Sequence, residues 1–374
     1  MSSAAYDVAV VGAGIIGSAT AGEIAKRGRS VVLVEAVDVA SDTSCRAMGH
    51  VGVYDDSPEQ LALTHFARRL WDEAEPSVAP EVDFVRRGAL WVARSADDFA
   101  EVERKVEVYR RAGVEASVVD ARRLHELEPN LDPGLAGALW VPGDIVLDAA
   151  EATRWLARQA VAAGVTLRTH APVRALADGA VELESGEQIP AAEIVLATGW
   201  QAPRLLPDLP IRPRKGHIAL LGPAPGFLRH QVSEVGYVRE SAPAQAESIV
   251  FSLQPRSNGM YLLGATRQYV GAGTDVDPRV IERLFRRAKE YLPGIGALRV
   301  DRTWAGLRPA GPDAVPIIGR YPGRPGLVVA VAHEGIGITT SIATGRLVAE
   351  LIDGAPPSIP LEPFRPERFA TGAR

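Results

Sequence analysis

One stretch, VAVVGAGIIGSATAGEIAKRGRSVVLVE at residues 8–35, restricts the possible folds more than any other part of the chain. Residues 8–11 are a short apolar run of strand type. Gly12, Gly14 and Gly17 follow at G-x-G-x-x-G spacing, residues 15–27 carry a helical pattern that Gly28 stops, and residues 31–34 predict a second strand ending on Glu35. Strand, glycine turn, helix, strand and acid in this order predict a βαβ unit that holds a dinucleotide. Gly12 permits the tight turn, Gly14 lets the backbone approach a pyrophosphate, and Gly17 lets the helix sit close to the sheet. Ile15 and Ile16 begin the helix, whose unsatisfied N–H groups and positive dipole end face the phosphates. Glu35, followed by Ala36, is placed to accept hydrogen bonds from a ribose and to repel a 2′-phosphate. FAD and NAD both satisfy this pattern.

At 374 residues the chain exceeds what one core usually encloses, so two domains are expected. Its 47% hydrophobic and 23% charged content is that of an ordinary soluble protein, and a net charge of −5 offers no basic field for nucleic acid. The lone cysteine, Cys45, leaves no internal disulfide or CxxC site, and the sparse histidines lack HxxxH or HExxH spacing, so no metal is expected. The apolar N-terminus lacks a basic leader region and is interrupted by Asp7 and Glu23. No run approaches the roughly 18 uncharged apolar residues of a membrane span, and a cytoplasmic protein is the expectation.

After Glu35, small residues and glycines predict a loop returning toward the nucleotide, with Cys45, Arg46, Ala47, Gly49, His50 and Gly52 on the cofactor side. Ser57 and Pro58 predict a capped helix over 58–74. Strands are expected at 85–92 and 139–141 around a charged helix over 97–111, and Asp148 caps another helix reaching residue 162. A strand at 165–168 leads to Val173, a hairpin covers 181–190, and EIVLATG at 193–199 is an apolar strand delivering Ala197, Thr198, Gly199 and Trp200 to the nucleotide. FSLQPRSNGMYLLGATRQ predicts a hairpin turned at Asn258-Gly259, and a helix over 278–291 closes the block. RTWAGLRPAGPDAVPIIG at 302–319 reads as Gly- and Pro-rich loop. A strand at 326–332, the glycine loop HEGIG and a helix over 338–352 then repeat the logic of the N-terminus. The expected fold is α/β, a Rossmann-like nucleotide domain (1–84, 143–212, 303–374) with a discontinuous α+β substrate domain (85–142, 213–302) on an antiparallel sheet.

GAGIIG with Glu35, the ATG at 197–199, GLRPAGPDAVPIIG and the final strand, loop and helix together resemble the D-amino acid oxidase and glycine oxidase family of FAD-dependent oxidoreductases, over nearly the whole chain. LQPRSNGMYLLGATRQ and AHEGIGITTS look most like its D-hydroxyproline dehydrogenase and cyanide-forming glycine dehydrogenase branch. The resemblance implies non-covalent FAD, its isoalloxazine where the two domains meet. The N-terminus of the last helix, with Gly335, Ile336, Gly337, Ile338 and Thr339, would face the flavin pyrimidine edge. It also implies hydride transfer to flavin N5 from a small amino or cyclic imino acid, the electrons passing to oxygen or a redox partner. A homo-oligomer or a subunit of a heteromeric dehydrogenase is the expected form, and 2-hydroxy acids or N-methyl amino acids are the alternative donors.

Arg308, in GLRP, is implied to grip the substrate carboxylate through two parallel hydrogen bonds, with help from Arg256, Arg267 or Tyr261. His50, His217 and His333 are implied to line the site. Two positions depart from the family pattern. Where some members place a second arginine after the last strand, this chain has His333-Glu334-Gly335, and where some carry a tyrosine before QPR it has Phe251-Ser252-Leu253-Gln254.

Overall fold

The computed structural model describes residues 5–236 and 247–369; the expected segments extend beyond this at 1–4, 237–246 and 370–374, which lie outside the described residues. β1 (Tyr6–Val11) and β2 (Val31–Val34) are parallel neighbours, and α1 (Ile15–Ala25) crosses between them. Their unbroken apolar runs, Val8 to Val11 and Val31 to Val34, suit strands covered on both faces. A short β3 (His50–Val51) precedes α2 (Pro58–Ala74), which starts where Ser57 Oγ accepts the Gln60 N–H at 3.1 Å. The chain then leaves this sheet through β4 (Val85–Arg86), β5 (Ala89–Ala93), α3 (Ala96–Arg111), β6 (Ser117–Asp120), α4 (Ala121–Leu127) and β7 (Gly137–Val141). It returns by β8 (Ile145–Val146) to α5 (Ala149–Ala162), β9 (Thr166–Arg168), β10 (Val173–Ala177), β11 (Ala180–Leu183) and β12 (Gln188–Leu196). A second excursion builds β13 (Arg212–Leu221), β14 (Gln231–Glu234), β15 (Glu247–Pro255), β16 (Tyr261–Gln268), α6 (Pro278–Lys289) and β17 (Val300–Ala310). β18 (Ile317–Arg320), β19 (Leu327–Val331) and α7 (Gly337–Asp353) then complete the first sheet and its helical layer.

Parallel strands β19, β12, β1, β2 and β9 form the centre of the first sheet. The return arm of the expected hairpin and the expected ATG strand are one element. β12 pairs antiparallel with β11 through its first residues and parallel with β1 and β19 further on. α1 lies against α5 and α7, and small residues let the backbones approach: a Cβ on Gly345 would meet Ala19 O at 2.8 Å. Among the described residues no helix is long and apolar enough to cross a membrane.

The second sheet runs β17-β13-β16-β15-β14-β5-β7-β6, with β14 and β5 its parallel pair. Residues 302–310 correct the sequence reading: expected as loop, and from 303 onward within the nucleotide domain, they belong to β17 of this sheet. The strand lies at the sheet edge, where a proline such as Pro309 costs no ladder bond on its open side. β15 and β16 form the expected hairpin, and Gly259, at φ +79°, takes the left-handed position in its turn. The loop before β3 ties the two sheets together. Thr43 Oγ1 donates to Leu307 O at 2.7 Å and Arg46 Nη1 to Ala305 O at 2.8 Å.

Candidate functional site

A cavity of about 900 Å³ has walls from both sheets. One end is the glycine turn. Gly12, at φ +104°, leaves no room for a side chain, since its Cβ would lie 2.8 Å from Ala197 O; a Cβ on Gly17 would lie 1.8 Å from Gly12 O. Glu35 stands beside the turn with each carboxylate oxygen already holding a backbone N–H, Ala13 N at 2.7 Å and Val37 N at 3.0 Å. Those bonds fix the group at the wall and leave acceptor capacity for hydroxyls. Thr198 Oγ1 is buried there with no hydrogen-bond partner among the described residues. A compact turn at a helix start, a fixed acid and an unused buried hydroxyl fit a dinucleotide. Ile15, Ile16, Ala36, Arg46, Ala47, Gly49, Val173, Ala197, Gly199 and Trp200 line the same cavity.

Gly335, Ile336, Gly337 and Ile338 carry the wall onward from the start of α7. Above them two cations converge: a Cβ on Gly335 would lie 4.0 Å from Arg267 Nη2 and 4.0 Å from Arg308 Nε. Arg308 Nη1 donates to Thr266 O at 2.8 Å. Its guanidinium crosses the neighbouring strand at Gly216, where a Cβ would fall 2.1 Å from Nη1. The second guanidinium over this turn belongs to Arg267 on β16. Glu334, also on the wall, has its Oε1 2.8 Å from Arg214 Nη1 in a buried ion pair.

Several expected residues lie off the cavity. Gly17 packs helix against turn, and Cys45 Sγ donates to Asp42 O at 3.0 Å, with burial pushing the thiol's pKa up. Thr339 Oγ1 donates to His50 O at 3.1 Å, tying α7 to β3. Arg256 donates to the carbonyls of Leu147 and Met48, pinning the hairpin to the earlier loop. Tyr261 donates to Ala224 O at 2.9 Å on the far side of the second sheet. Pairing on both sides of β16 slips by one residue around Ala265, which moves the odd-numbered residues from that far core to the cavity side. Tyr261 precedes the slip and Arg267 follows it. His217 is buried away from the wall, its Nδ1 3.2 Å from Thr266 Oγ1.

His333 and His50 do line the cavity. His333 is 3% exposed, shares a hydrogen bond with Thr344 Oγ1 at 3.0 Å, and is pushed by burial from an ordinary 6.5 down to about 3. Burial first, then Lys215, lowers His217 to about 4. Below about pH 6.5 the unfolded chain takes up protons that these folded imidazoles refuse. Stability therefore falls with acidification across that window, by about 1.4 kcal/mol per pH unit for each ring. His333→Gln should lose about 2 kcal/mol less than the parent between about pH 7 and about pH 5. Urea unfolding at both pH values measures the difference, and equal losses would remove His333 from this account.

Residues 7–351 match the family described as FAD dependent oxidoreductase, DAO. The chain is 29% identical to the glycine oxidase of Geobacillus kaustophilus over 96% of each protein. It is 30% identical to a D-amino acid dehydrogenase of Paramagnetospirillum magneticum over 83% of this chain and 74% of that one. The crystal structure of the Geobacillus kaustophilus glycine oxidase superposes with a TM-score of 0.87 at 27% identity, covering 99% of both chains. A likeness that runs through both sheets, rather than through the nucleotide turn alone, makes this chain a member of the FAD-dependent oxidoreductase family.

Proposed function

We propose that the protein oxidises the C–N bond of a small α-amino or cyclic imino acid, the parallel-sheet half holding FAD and the antiparallel sheet holding the substrate. The observation that carries this reading is the meeting of Arg308 and Arg267 over the Gly335 turn, in the cavity that the dinucleotide cradle opens into. Guanidiniums are donor-only groups shaped to grip a carboxylate. Relatives named glycine oxidase and D-amino acid dehydrogenase act on donors of this type. Bound FAD supplies the two-electron acceptor. The chain's own residues orient: Arg308 and Arg267 hold the acid end, and the wall from Gly335 to Ile338 presents the helix start toward the opposite side.

An absorption spectrum of the purified protein, then anaerobic titration with D-, L- and cyclic amino acids and the matching 2-hydroxy acids, tests the reading. The expected result is flavin bleaching by at least one amino or imino acid and by no hydroxy acid. Bleaching by hydroxy acids alone would overturn it. Peroxide yield on admitting air assigns oxygen or a redox partner as the electron acceptor.

A further inference from the structure

The end of the cavity lined by His50, Tyr54 and Trp91 has a different chemistry from the guanidinium end. Tyr54 Oη lies 3.0 Å from His50 Nδ1, and His50 Nε2 lies 2.9 Å from Asp144 Oδ2. Asp144 is 1% exposed, and Arg68 Nη1 stands 3.6 Å from its other oxygen. With a carboxylate at one end, a neutral His50 satisfies both bonds in one way: it donates from Nε2 to Asp144 and accepts the Tyr54 hydroxyl proton at Nδ1. The space is built around this chain of bonds. A Cβ on Gly52 would fall 2.9 Å from both Asp144 Oδ2 and His50 Nε2.

The backbone holds the three groups in register. β3 pairs with β8, setting His50 opposite Val146, two residues beyond Asp144. Tyr54 N donates to Thr64 Oγ1 on α2 at 3.1 Å. Trp91 sits edge-on to the Tyr54 ring, with centroids 6.2 Å apart and planes at 86°. Gln60 and Gln231 add buried amide oxygens without hydrogen-bond partners among the described residues. One end of the cavity thus offers cationic donors and the other offers acceptors backed by a buried carboxylate, as a molecule with a carboxylate and an amine requires.

We propose that Tyr54, His50 and Asp144 form a proton relay that takes one proton from the substrate ammonium before its C–N bond is oxidised; this rests on the function proposed above. Tyr54 is the member that touches substrate, and His50 and Asp144 are positioning residues. The ammonium N–H bond breaks as Tyr54 Oη gains the proton, and the phenol's own proton passes to His50 Nδ1. The imidazolium so formed is stabilised through its Nε2–H by the Asp144 carboxylate. No electrons change hands in this step, and the substrate nitrogen is left with the lone pair that oxidation needs. The charged and titratable groups around the relay are Arg68 from α2, Lys105 and Tyr109 from α3, Asp55 and Asp56 from the loop that carries Tyr54, and Arg267 from β16, which acts on Asp56. Lys105 is already held by Asp55, and Tyr109 donates to Val53 O at 2.7 Å.

The test is the rate of anaerobic flavin reduction by an amino acid, followed from about pH 7 to about pH 9.5 in the holoenzyme and in Tyr54→Phe, His50→Gln and Asp144→Asn. Benzoate binding, read from the flavin spectrum, reports whether each variant keeps its fold and its acid-binding end. Tyr54→Phe keeps the ring packing and should bind benzoate like the parent. At about pH 7 it should reduce its flavin about 100-fold more slowly, the size of a lost acid–base group. Its rate should then rise about tenfold per pH unit, toward the parent's, as the substrate arrives already neutral. The same rescue is expected in His50→Gln and Asp144→Asn; a merely structural role would give a deficit that does not change with pH. A Tyr54→Phe profile parallel to the parent's overturns the relay while leaving the function standing. A parent flavin that no amino or imino acid reduces overturns both.

Discussion

Arg308→Leu lowers kcat/KM for a small amino acid by about 10³-fold and leaves that for the matching neutral amine within about threefold. The first figure is the loss expected when a charge-assisted carboxylate contact is removed from a partly desolvated site, about 4 kcal/mol. The amine has no carboxylate to lose. Arg308→Lys should recover only part of the activity, because an ammonium cannot reproduce the planar fork that crosses Gly216. Steady-state kinetics with both donors decide the matter. Equal losses on amino acid and amine would show that the side chain shapes the cavity rather than reads the acid. Arg267 remains in such a variant, so the experiment also measures how far one guanidinium suffices.

Gly17→Ala is expected to purify without FAD. Its Cβ would lie 1.8 Å from Gly12 O, an overlap with backbone that no side-chain rotation relieves, so α1 must move away from the turn that cradles the pyrophosphate. A loss of more than about 10³-fold in FAD affinity follows from misplacing the whole helix start relative to the phosphates. Gly28→Ala is the control. Gly28 has a left-handed backbone, φ +84°, but nothing lies within 4 Å of its added Cβ. That variant should stay yellow and lose about 1–2 kcal/mol of stability from strain. Flavin content after reconstitution separates the two, and a yellow, tightly loaded Gly17→Ala protein would refute the argument.

The contrast between these two glycines shows which information was local. Strand, turn and helix at the N-terminus are written in neighbouring residues, and helix starts such as Ser57-Pro58 announce themselves through their own hydrogen bonds. Residues 302–310 misled because their glycines and prolines serve strand packing. Gly306 makes room for Arg46, and Pro309 sits on an edge. β12 was split in two because its partners change along its length, a property of the sheet and not of the segment. At the site, Arg308 was legible through its family motif. Tyr54, Asp144 and the cavity-facing position of Arg267 depend on contacts between distant segments and on the register slip in β16. Two signals were present in the sequence: Gly216 inside a strand and Gly52 near His50 both mark places where something else fills the space of a side chain.

The close seating of α7 on α1, with Gly345 against Ala19, has a consequence for biosynthesis. The glycine turn leaves the ribosome well before the helix that covers its neighbour and the strand β19 that flanks β12. Until then α1 lacks the helix that covers it and β12 the strand at its open edge, and a flavin would find only half of its pocket. Cofactor capture therefore waits until both edges of the nucleotide turn, the early one and the late one, have been made and have closed on β12.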